Sequence, residues 1–187
     1  MHLSVIGTGY VGLVTGACFA EFGVHATCMD VDRTRIEQLN KGEVPFYEPG
    51  LTELVAKGIR ERRLSFTTDI AEAIDRTLVI FIAVGTPSQS DGSADLSLVE
   101  EVGRGIGRHM NGYKVIVTKS TVPVGTGERL RRVIQAQQAT PGEFDIVSNP
   151  EFFREGSAVE DFLRPNRVVL GADSPQAIAI MKDLYRP

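Results

Sequence analysis

The chain has 187 residues, of which 42% are hydrophobic and 24% are charged, a balance that fits one globular domain with a real core. Its formal net charge of −4 gives no electrostatic reason to expect a nucleic acid or an anionic membrane as a partner. No apolar run approaches the length of a membrane-spanning helix, and a strand-like run begins so close to Met1 that no signal peptide is predicted. We therefore expect a cytoplasmic protein.

The two cysteines, Cys18 and Cys28, lie inside apolar segments. Neither their number nor their spacing indicates a disulfide framework or a zinc site. We expect both to be buried, small hydrophobic side chains, and we expect no bound metal.

Strand-like and helix-like segments alternate along the whole chain. Short β-branched runs predict strands, and apolar residues on one face predict helices. Asp32 and Asp69 are placed to cap helices, and Ser174 precedes the last one. The predicted strands are 3–6, 25–29, 64–67, 78–84, 114–118, 144–147 and 168–170, and the predicted helices are 10–22, 33–40, 51–62, 70–74, 95 or 97 to 110, 124–138 and 175–185.

This alternation predicts the architecture. Strands separated by helices form a parallel sheet with helices on both faces. The run 78–84 is the most apolar of the chain and suits a central strand that is buried on both faces. We therefore predict an α/β fold with a doubly wound, Rossmann-like parallel sheet, in a single domain that spans residues 1–187.

The segment Gly7-Thr8-Gly9-Tyr10-Val11-Gly12 connects the first strand to the first helix. A GxGxxG pattern alone is weak, but here a strand precedes it, a helix follows it and an acid closes the next strand. Gly7 allows the tight turn, Gly9 lets a pyrophosphate approach, and Gly12 lets the helix pack close to the strand. Free amides in the first helical turn, where Tyr10 and Val11 lie, would bind the phosphates. The segment predicts a dinucleotide site.

Asp30 directly follows the second strand. A carboxylate there can accept both hydroxyls of the adenosine ribose and would repel a 2′-phosphate, so NAD is favoured over NADP. Asp32 competes for this role, but its position suits a helix cap. Arg33 and Arg35 are near enough to flank the adenosine, although on spacing alone either is more often a solvated helix charge.

Two hydroxyl-rich loops follow the two central strands of the predicted sheet. Thr86 and Thr121 each lie just beyond a strand, where a threonine can bond a nicotinamide ribose or hold a water against a substrate. Ser88 and Thr126 fit simpler roles in ending strands and capping helices.

The segment 149–156 reads Asn-Pro-Glu-Phe-Phe-Arg-Glu-Gly and follows the strand at 144–147. Ligands of open α/β sheets bind beyond the carboxyl ends of the strands. If the segment becomes helical at Phe152 or later, Glu151 and Glu155 lie on one face, and one of them can act as a general base. The alternative is a helix N-terminus that is merely enriched in acids.

Taken together, these motifs resemble the family of NAD-dependent nucleotide-sugar dehydrogenases, which oxidise an alcohol twice to a carboxylate. The resemblance covers the whole chain, and its specificity comes from the ordered set of motifs. The segments that carry it are 7–13, 45–51, 84–88, 91–97, 119–126, 149–156 and 164–171.

The resemblance assigns roles to residues of this chain. It implies catalytic roles for Thr121 near the reacting centre, for Glu151 in the hydrolytic half of the reaction, and for Glu155 beside nicotinamide and sugar. Phe153 is a mild departure, because leucine is usual there. The implied NAD site consists of Gly7, Gly9, Tyr10, Val11, Gly12, Asp30, Arg35, Thr86, Thr121 and Glu155. The implied sugar-binding residues are Glu151, Phe152, Phe153, Arg154 and Glu155.

Two motifs narrow the implied substrate. Segment 149–156 resembles the glucose and mannose branches of the family rather than the N-acetylmannosamine branch. Segment 120–126 resembles the UDP-glucose members more than the GDP-mannose members. The resemblance therefore implies oxidation of UDP-glucose to UDP-glucuronate with two NAD⁺, and GDP-mannose or another nucleotide sugar is the alternative.

The family's nucleophilic cysteine, with the lysine and asparagine that assist it, belongs to a second domain beyond a long central helix, and this chain includes neither. Cys18 and Cys28 are placed where no sugar carbon could reach them. The resemblance implies the N-terminal cofactor domain of a longer, homodimeric enzyme, and this domain alone is expected to be inactive and monomeric. A free-standing NAD or nucleotide-sugar binding module without catalysis is the alternative of another class.

Overall fold

The computed structural model of the protein describes residues 1–186. These residues form a sheet of six parallel strands with helices on both faces. None of the helices within this range is both long and apolar enough to cross a membrane. In chain order the elements are β1 (His2–Ile6), α1 (Tyr10–Glu21), β2 (His25–Met29), α2 (Arg33–Asn40), α3 (Leu51–Arg60), β3 (Leu64–Thr67), α4 (Ile70–Asp75), β4 (Val79–Ile82), α5 (Ser97–His109), β5 (Lys114–Thr118), α6 (Thr126–Gln137), β6 (Phe144–Ser148), α7 (Ala158–Leu163) and α8 (Pro175–Leu184).

The strand order β3-β2-β1-β4-β5-β6 confirms the predicted doubly wound α/β fold. The chain moves outward from β1 to β3, returns beside β1 as β4, and then moves outward to β6. Ile6, at the end of β1, pairs with Met29 of β2 and with Ile82 of β4. The direction of winding therefore reverses between β1 and β4, and a ligand crevice opens beyond the carboxyl ends of these strands.

Two hydrophobic cores cover the two faces of the sheet, because successive side chains of a strand point to opposite faces. Val79 and Phe81 belong to the core formed with α1, α3, α7 and α8. Ile80 and Ile82 belong to the core formed with α4, α5 and α6. Every residue of β4 is buried, as the prediction of a central strand requires.

The helix caps predicted at Asp32 and Asp69 are confirmed, and Ser174 caps α8 in the same way. Asp32 accepts the amide of Arg35 at 3.1 Å, Asp69 accepts the amide of Ala71 at 2.8 Å, and Ser174 accepts the amide of Ala177 at 3.2 Å. Each side-chain oxygen satisfies an amide that has no partner within its own helix. The observed elements differ from the predicted ones mainly by one or two residues at their ends.

The strand predicted at 168–170 is wrong. Ser148 and Gly171 form only an isolated antiparallel bridge, with two backbone hydrogen bonds of 2.8 Å. Val168 and Val169 are exposed, and the carbonyl of Val169 accepts the Asn149 side-chain amide at 2.9 Å. A side-chain hydrogen bond thus holds this segment, and it replaces the ladder of backbone hydrogen bonds that a strand would have. The short helix α7 is an element that the sequence prediction missed.

Candidate functional site

The glycine turn between β1 and α1 has the geometry predicted for a dinucleotide site. Gly7 has a φ of +102°, and a Cβ there would lie 2.7 Å from the carbonyl oxygen of Ala83. A Cβ on Gly12 would lie 1.9 Å from the carbonyl oxygen of Gly7, whereas a Cβ on Gly9 would meet no atom of the described chain within 4 Å. Gly9 thus presents bare backbone to an open space.

The amino end of α1 is available for an anion. Its cap residue is Gly9, and no side chain of residues 1–186 caps this end. The amides of the first turn, around Tyr10 and Val11, therefore keep their capacity to bind phosphate, and the helix dipole favours a negative charge there.

Asp30 lies at the edge of the same crevice, and its side chain is only 12% exposed. One carboxylate oxygen accepts the amide and the hydroxyl of Thr8, and Arg35 donates to that oxygen at 3.3 Å. Burial acts to raise the pKa of Asp30, but the hydrogen bonds from Thr8 and Asp32 and the charge of Arg35 hold this pKa below its usual value. Asp30 is therefore ionised at neutral pH.

A cavity of about 440 Å³ joins the glycine turn to this acid. Its walls include Gly9 and Asp30, and Arg35 lines it whereas Arg33 does not. Of the two arginines that the sequence placed near the adenosine, only Arg35 faces the cavity. Gly85, beyond the end of β4, also lines the cavity.

The loops after β4 and β5 meet at this sheet edge. The hydroxyl of Thr86 donates to the carbonyl of Thr121 at 3.2 Å, and Ser120 donates to the carbonyl of Val84 at 2.6 Å. The structure thus brings Thr86 and Thr121 together, as their places after neighbouring strands predict. The hydroxyl of Thr126 donates to Pro123 at 2.7 Å within its own loop.

Segment 149–156 is irregular, and the helix that follows it begins only at Ala158. The expectation that Glu151 and Glu155 share a helical face is therefore wrong. Glu151 accepts the amide of Phe153 at 2.5 Å, and Gly156 has a φ of +86°, so the backbone turns before a helix can form. Glu151 is half-buried and Glu155 is exposed.

The side chains of Phe152 and Arg154, in the same segment, have different surroundings. Phe152 is half exposed, and the guanidinium of Arg167 lies 4.7 Å from the centre of its ring. Arg154 is engaged by Asp161, with a closest distance of 2.7 Å between guanidinium and carboxylate. The hydrogen bonds from Arg154 lower the pKa of Asp161 to about 2. Asp161 therefore remains ionised and holds Arg154 against α7.

A buried lysine beneath the segment escaped the sequence prediction. The Nζ of Lys119 lies 3.2 Å from both the Asn149 side-chain oxygen and the Tyr185 hydroxyl, and 5.4 Å from the centre of the Phe153 ring. Burial lowers the pKa of Lys119 to about 8, although Glu151 acts in the opposite direction. These residues line a cavity of about 360 Å³ under segment 149–156.

Glu48 is a second buried charge that the sequence prediction did not single out, although it lies within the segment 45–51. Its carboxylate accepts the hydroxyl of Tyr10 and the amides of Gly156 and Ala158. A lone acid between two prolines in a turn-rich connection gave no local sign of these distant partners.

Both cysteines are fully buried, as predicted. Burial raises the pKa of Cys18 and of Cys28 to about 12. Because the thiolate is the nucleophilic form, neither side chain can act as a nucleophile at neutral pH.

The structure has the features of a dinucleotide-binding domain: a parallel sheet in this strand order, an uncapped helix after a glycine turn, and an ionised acid at the end of β2. A sequence model described as the UDP-glucose/GDP-mannose dehydrogenase family, NAD binding domain, matches residues 1–187. The chain belongs to this family, which confirms the resemblance and identifies NAD as the cofactor of the domain.

Two named relatives show which members of the family the chain is similar to. The chain is 51% identical over 185 residues to the UDP-glucose 6-dehydrogenase TuaD of Bacillus subtilis, covering 99% of this chain and 40% of TuaD. It is 49% identical over 190 residues to the UDP-glucose 6-dehydrogenase of Rhizobium meliloti, covering 100% of this chain and 43% of that protein. The chain thus spans less than half the length of these curated relatives.

Solved structures agree with the fold. A UDP-glucose dehydrogenase from Pyrobaculum islandicum superposes with a TM-score of 0.95 at 43% identity, over 99% of this chain and 44% of that one. A GDP-mannose dehydrogenase from Pseudomonas aeruginosa also gives a TM-score of 0.95, at 36% identity, over 100% of this chain and 44% of that one.

Proposed function

We propose that this chain is the cofactor-binding part of an NAD-dependent UDP-glucose 6-dehydrogenase, which oxidises UDP-glucose to UDP-glucuronate in two hydride transfers. The observation that carries the proposal is the position of segment 149–156. It lies at the same sheet edge as the glycine turn, and Tyr10 joins the two. High identity to two relatives named UDP-glucose 6-dehydrogenase supports the choice of substrate.

The residues of the crevice fit NAD. The pyrophosphate would lie against Gly7, Gly9 and the first turn of α1, namely Tyr10, Val11 and Gly12. The open space at Gly9 supports this placement, because a backbone without a Cβ is what close phosphate approach requires. Asp30 and Arg35 would hold the adenosine ribose, and Thr86 and Thr121 would face the nicotinamide half. When bound there, NAD⁺ supplies a hydride acceptor.

The acids of segment 149–156 supply the proton chemistry in this proposal. Glu151 would take a proton from the water that attacks in the hydrolytic half, and its bond to the Phe153 amide fixes one carboxylate oxygen for that role. Glu155 would lie beside nicotinamide and sugar. The backbone from Phe152 to Arg154 would hold the sugar, with Thr121 near the reacting carbon.

The nucleophile has to come from outside this chain. The aldehyde stage needs a thiohemiacetal to stay bound between the two hydride transfers, and that requires an accessible thiolate. Cys18 and Cys28 are buried and protonated at neutral pH, which supports a cysteine in the part of the enzyme that the longer relatives possess. In this proposal the full-length enzyme is a cytoplasmic homodimer, and the 187-residue chain alone is monomeric.

Calorimetry and an NADH assay test the proposal. We expect the chain to bind NAD⁺ more tightly than NADP⁺, since Asp30 repels a 2′-phosphate. We expect no NADH from UDP-glucose with the chain alone, and steady production with the full-length enzyme. Absence of NAD⁺ binding would refute the cofactor site, and steady NADH production by the chain alone would refute an external nucleophile.

GDP-mannose is the second candidate substrate, because the GDP-mannose dehydrogenase superposes equally well. Assays of the full-length enzyme with UDP-glucose, GDP-mannose and UDP-N-acetylmannosamine decide between them. A free-standing binding module is the candidate of another class. A gene that continues past codon 187 into a cysteine-containing second domain would exclude it.

A further inference from the structure

Glu48 is a carboxylate in an unusual place. It lies in the connection between α2 and α3 and is only 3% exposed. A buried carboxylate needs hydrogen-bond donors to offset its lost hydration. Its donors are the Tyr10 hydroxyl, the Gly156 amide at 2.9 Å and the Ala158 amide at 2.8 Å, all of them uncharged.

These donors come from two parts of the site. Tyr10 is the first residue of α1, directly after the glycine turn. Gly156 closes segment 149–156, and Ala158 begins α7. The Tyr10 hydroxyl also lies 3.4 Å from the carbonyl of Arg154 and 3.3 Å from the Gly156 amide. One carboxylate thus joins the proposed phosphate-binding turn to the proposed sugar-binding segment.

The protonation states of Tyr10 and Glu48 determine which group donates each of these hydrogen bonds and which group accepts it. Burial and then the bond to Glu48 raise the pKa of Tyr10 to about 12, so the phenol keeps its proton. Burial acts to raise the pKa of Glu48, but the bonds from Tyr10, Gly156 and Ala158 lower it overall. At neutral pH Glu48 is therefore the charged acceptor for every donor, and charge-assisted bonds are the stronger kind.

We propose that Glu48 is a positioning residue that fixes segment 149–156 against the first turn of α1. The segment has no regular structure of its own. Its first residue, Asn149, is held by Lys119, Val169 and Tyr185. Its later anchors, Glu151 to Phe153 and Arg154 to Asp161, are local to the segment and α7. Among the hydrogen bonds of residues 1–186, those of Glu48 and Tyr10 tie it to the glycine turn. The assignment of sugar and NAD to the two sides rests on the proposed function, whereas the mechanical link rests on the contacts alone.

Hydrogen exchange of the 187-residue chain without ligand tests the link directly. In Glu48→Gln the Gly156 and Ala158 amides should exchange about tenfold faster or more, the scale expected for losing charge-assisted bonds. Glu43→Gln is the matched control, because Glu43 is exposed on the same connection, and it should leave both rates unchanged. Unchanged rates in Glu48→Gln would overturn the proposal.

Tyr10→Phe keeps the test decisive if Glu48→Gln does not fold. The phenyl ring of this variant can keep the packing of Tyr10 against Phe46, whose ring centre lies 5.3 Å away, and the bonds from Glu48 to the amides remain. Exchange should then accelerate at Gly156, which contacts both side chains, and not at Ala158, which contacts Glu48 alone. Equal rates at Gly156 in wild type and Tyr10→Phe would count against the link.

Kinetics of the full-length enzyme distinguish a positioning role of Glu48 from a general loss of folded, active enzyme. In Glu48→Gln we expect the KM for UDP-glucose to rise about tenfold while kcat and the KM for NAD⁺ change by less than about twofold. A purely structural role would lower kcat through a smaller active fraction and leave the KM for UDP-glucose unchanged, which would refute positioning. If the enzyme does not use UDP-glucose but the exchange result holds, the proposed substrate is wrong and the link stands.

Discussion

Thr8 places both its backbone amide and its hydroxyl on one carboxylate oxygen of Asp30, at 2.8 Å each. The amide of Asp32 donates to the other oxygen at 3.1 Å. The turn after β1 therefore orients the acid at the end of β2 before any ligand arrives. In the proposed NAD site the adenosine ribose would meet this fixed carboxylate, so less ordering would be required on binding.

Thr8→Val tests this arrangement, because valine has the same shape and lacks the hydroxyl. Thr8 is fully buried, and loss of a hydrogen bond to a charged group costs about 1.5–3 kcal/mol. We expect the free energy of unfolding to fall by about that amount in urea titrations, and NAD⁺ affinity to fall about tenfold by calorimetry.

Thr52→Val serves as the control, since Thr52 is exposed on α3. It should change stability by less than about 0.5 kcal/mol and leave NAD⁺ binding intact. Wild-type affinity in Thr8→Val would show that the backbone amide of Thr8 alone sets the orientation of Asp30.

Gly9→Ala and Gly12→Ala should separate binding from folding. The backbone of Gly9 is extended, with φ −68° and ψ −171°, and its Cβ would meet open space, so we expect stability within about 0.5 kcal/mol of wild type. In the proposed NAD site the added methyl group would occupy the path of the pyrophosphate, so NAD⁺ affinity should fall about tenfold or more.

Gly12→Ala should lose stability as well as NAD⁺ binding, because its Cβ would overlap the carbonyl of Gly7. Forced overpacking of this kind costs about 1–3 kcal/mol or more, so thermal unfolding should shift downward together with the loss of NAD⁺ binding. Equal stability losses in the two variants would contradict the different roles of these glycines.

The parts of the site that sequence predicted are those with local signals. The turn from Gly7 to Gly12 requires backbone without Cβ atoms, and Asp30 directly follows an apolar strand, so short spacings identified both. Thr86 and Thr121 were found the same way, because each follows a central strand. These residues lie at one edge since parallel strands bring their carboxyl ends together.

The parts that sequence missed depend on distant partners. Glu48 takes its donors from Tyr10 and from the Gly156 region, far away in the chain. Lys119 is buried against Tyr185, the residue that directly follows α8. The segment at 168–170 has the β-branched residues of a strand, but the Asn149 side chain takes the Val169 carbonyl. No local pattern encodes these contacts.

Lys119 should give the protein a distinct alkaline stability profile. Its pKa is about 8 when folded against a usual value of 10.5, and this difference corresponds to roughly 3 kcal/mol. Between about pH 8 and 10.5 the unfolded chain binds a proton here that the folded chain does not, so the contribution of Lys119 to stability rises with pH across this window. Below pH 8 the cost of burying the charged form is present in full.

Lys119→Met removes this titration. The difference in unfolding free energy between wild type and Lys119→Met, measured in urea at several pH values, should therefore shift in favour of wild type from about pH 8 to 10.5. Lys182→Met, at an exposed position on α8, should give a flat difference over the same range. A flat difference for Lys119→Met as well would show that the buried ammonium keeps an ordinary pKa.

Glu151→Gln in the full-length enzyme tests the division of labour between the two acids. Glutamine keeps an oxygen that can accept the Phe153 amide, so the segment should hold its shape while the base is lost. General-base catalysis contributes about 10²–10⁴-fold, so the hydrolytic step should slow by at least about a hundredfold. The first hydride transfer, followed as the pre-steady-state formation of NADH, should slow far less. Glu160→Gln, exposed on α7, should leave both steps unchanged. Equal losses in the two steps of Glu151→Gln would mean that Glu151 positions the substrate and does not act as the base.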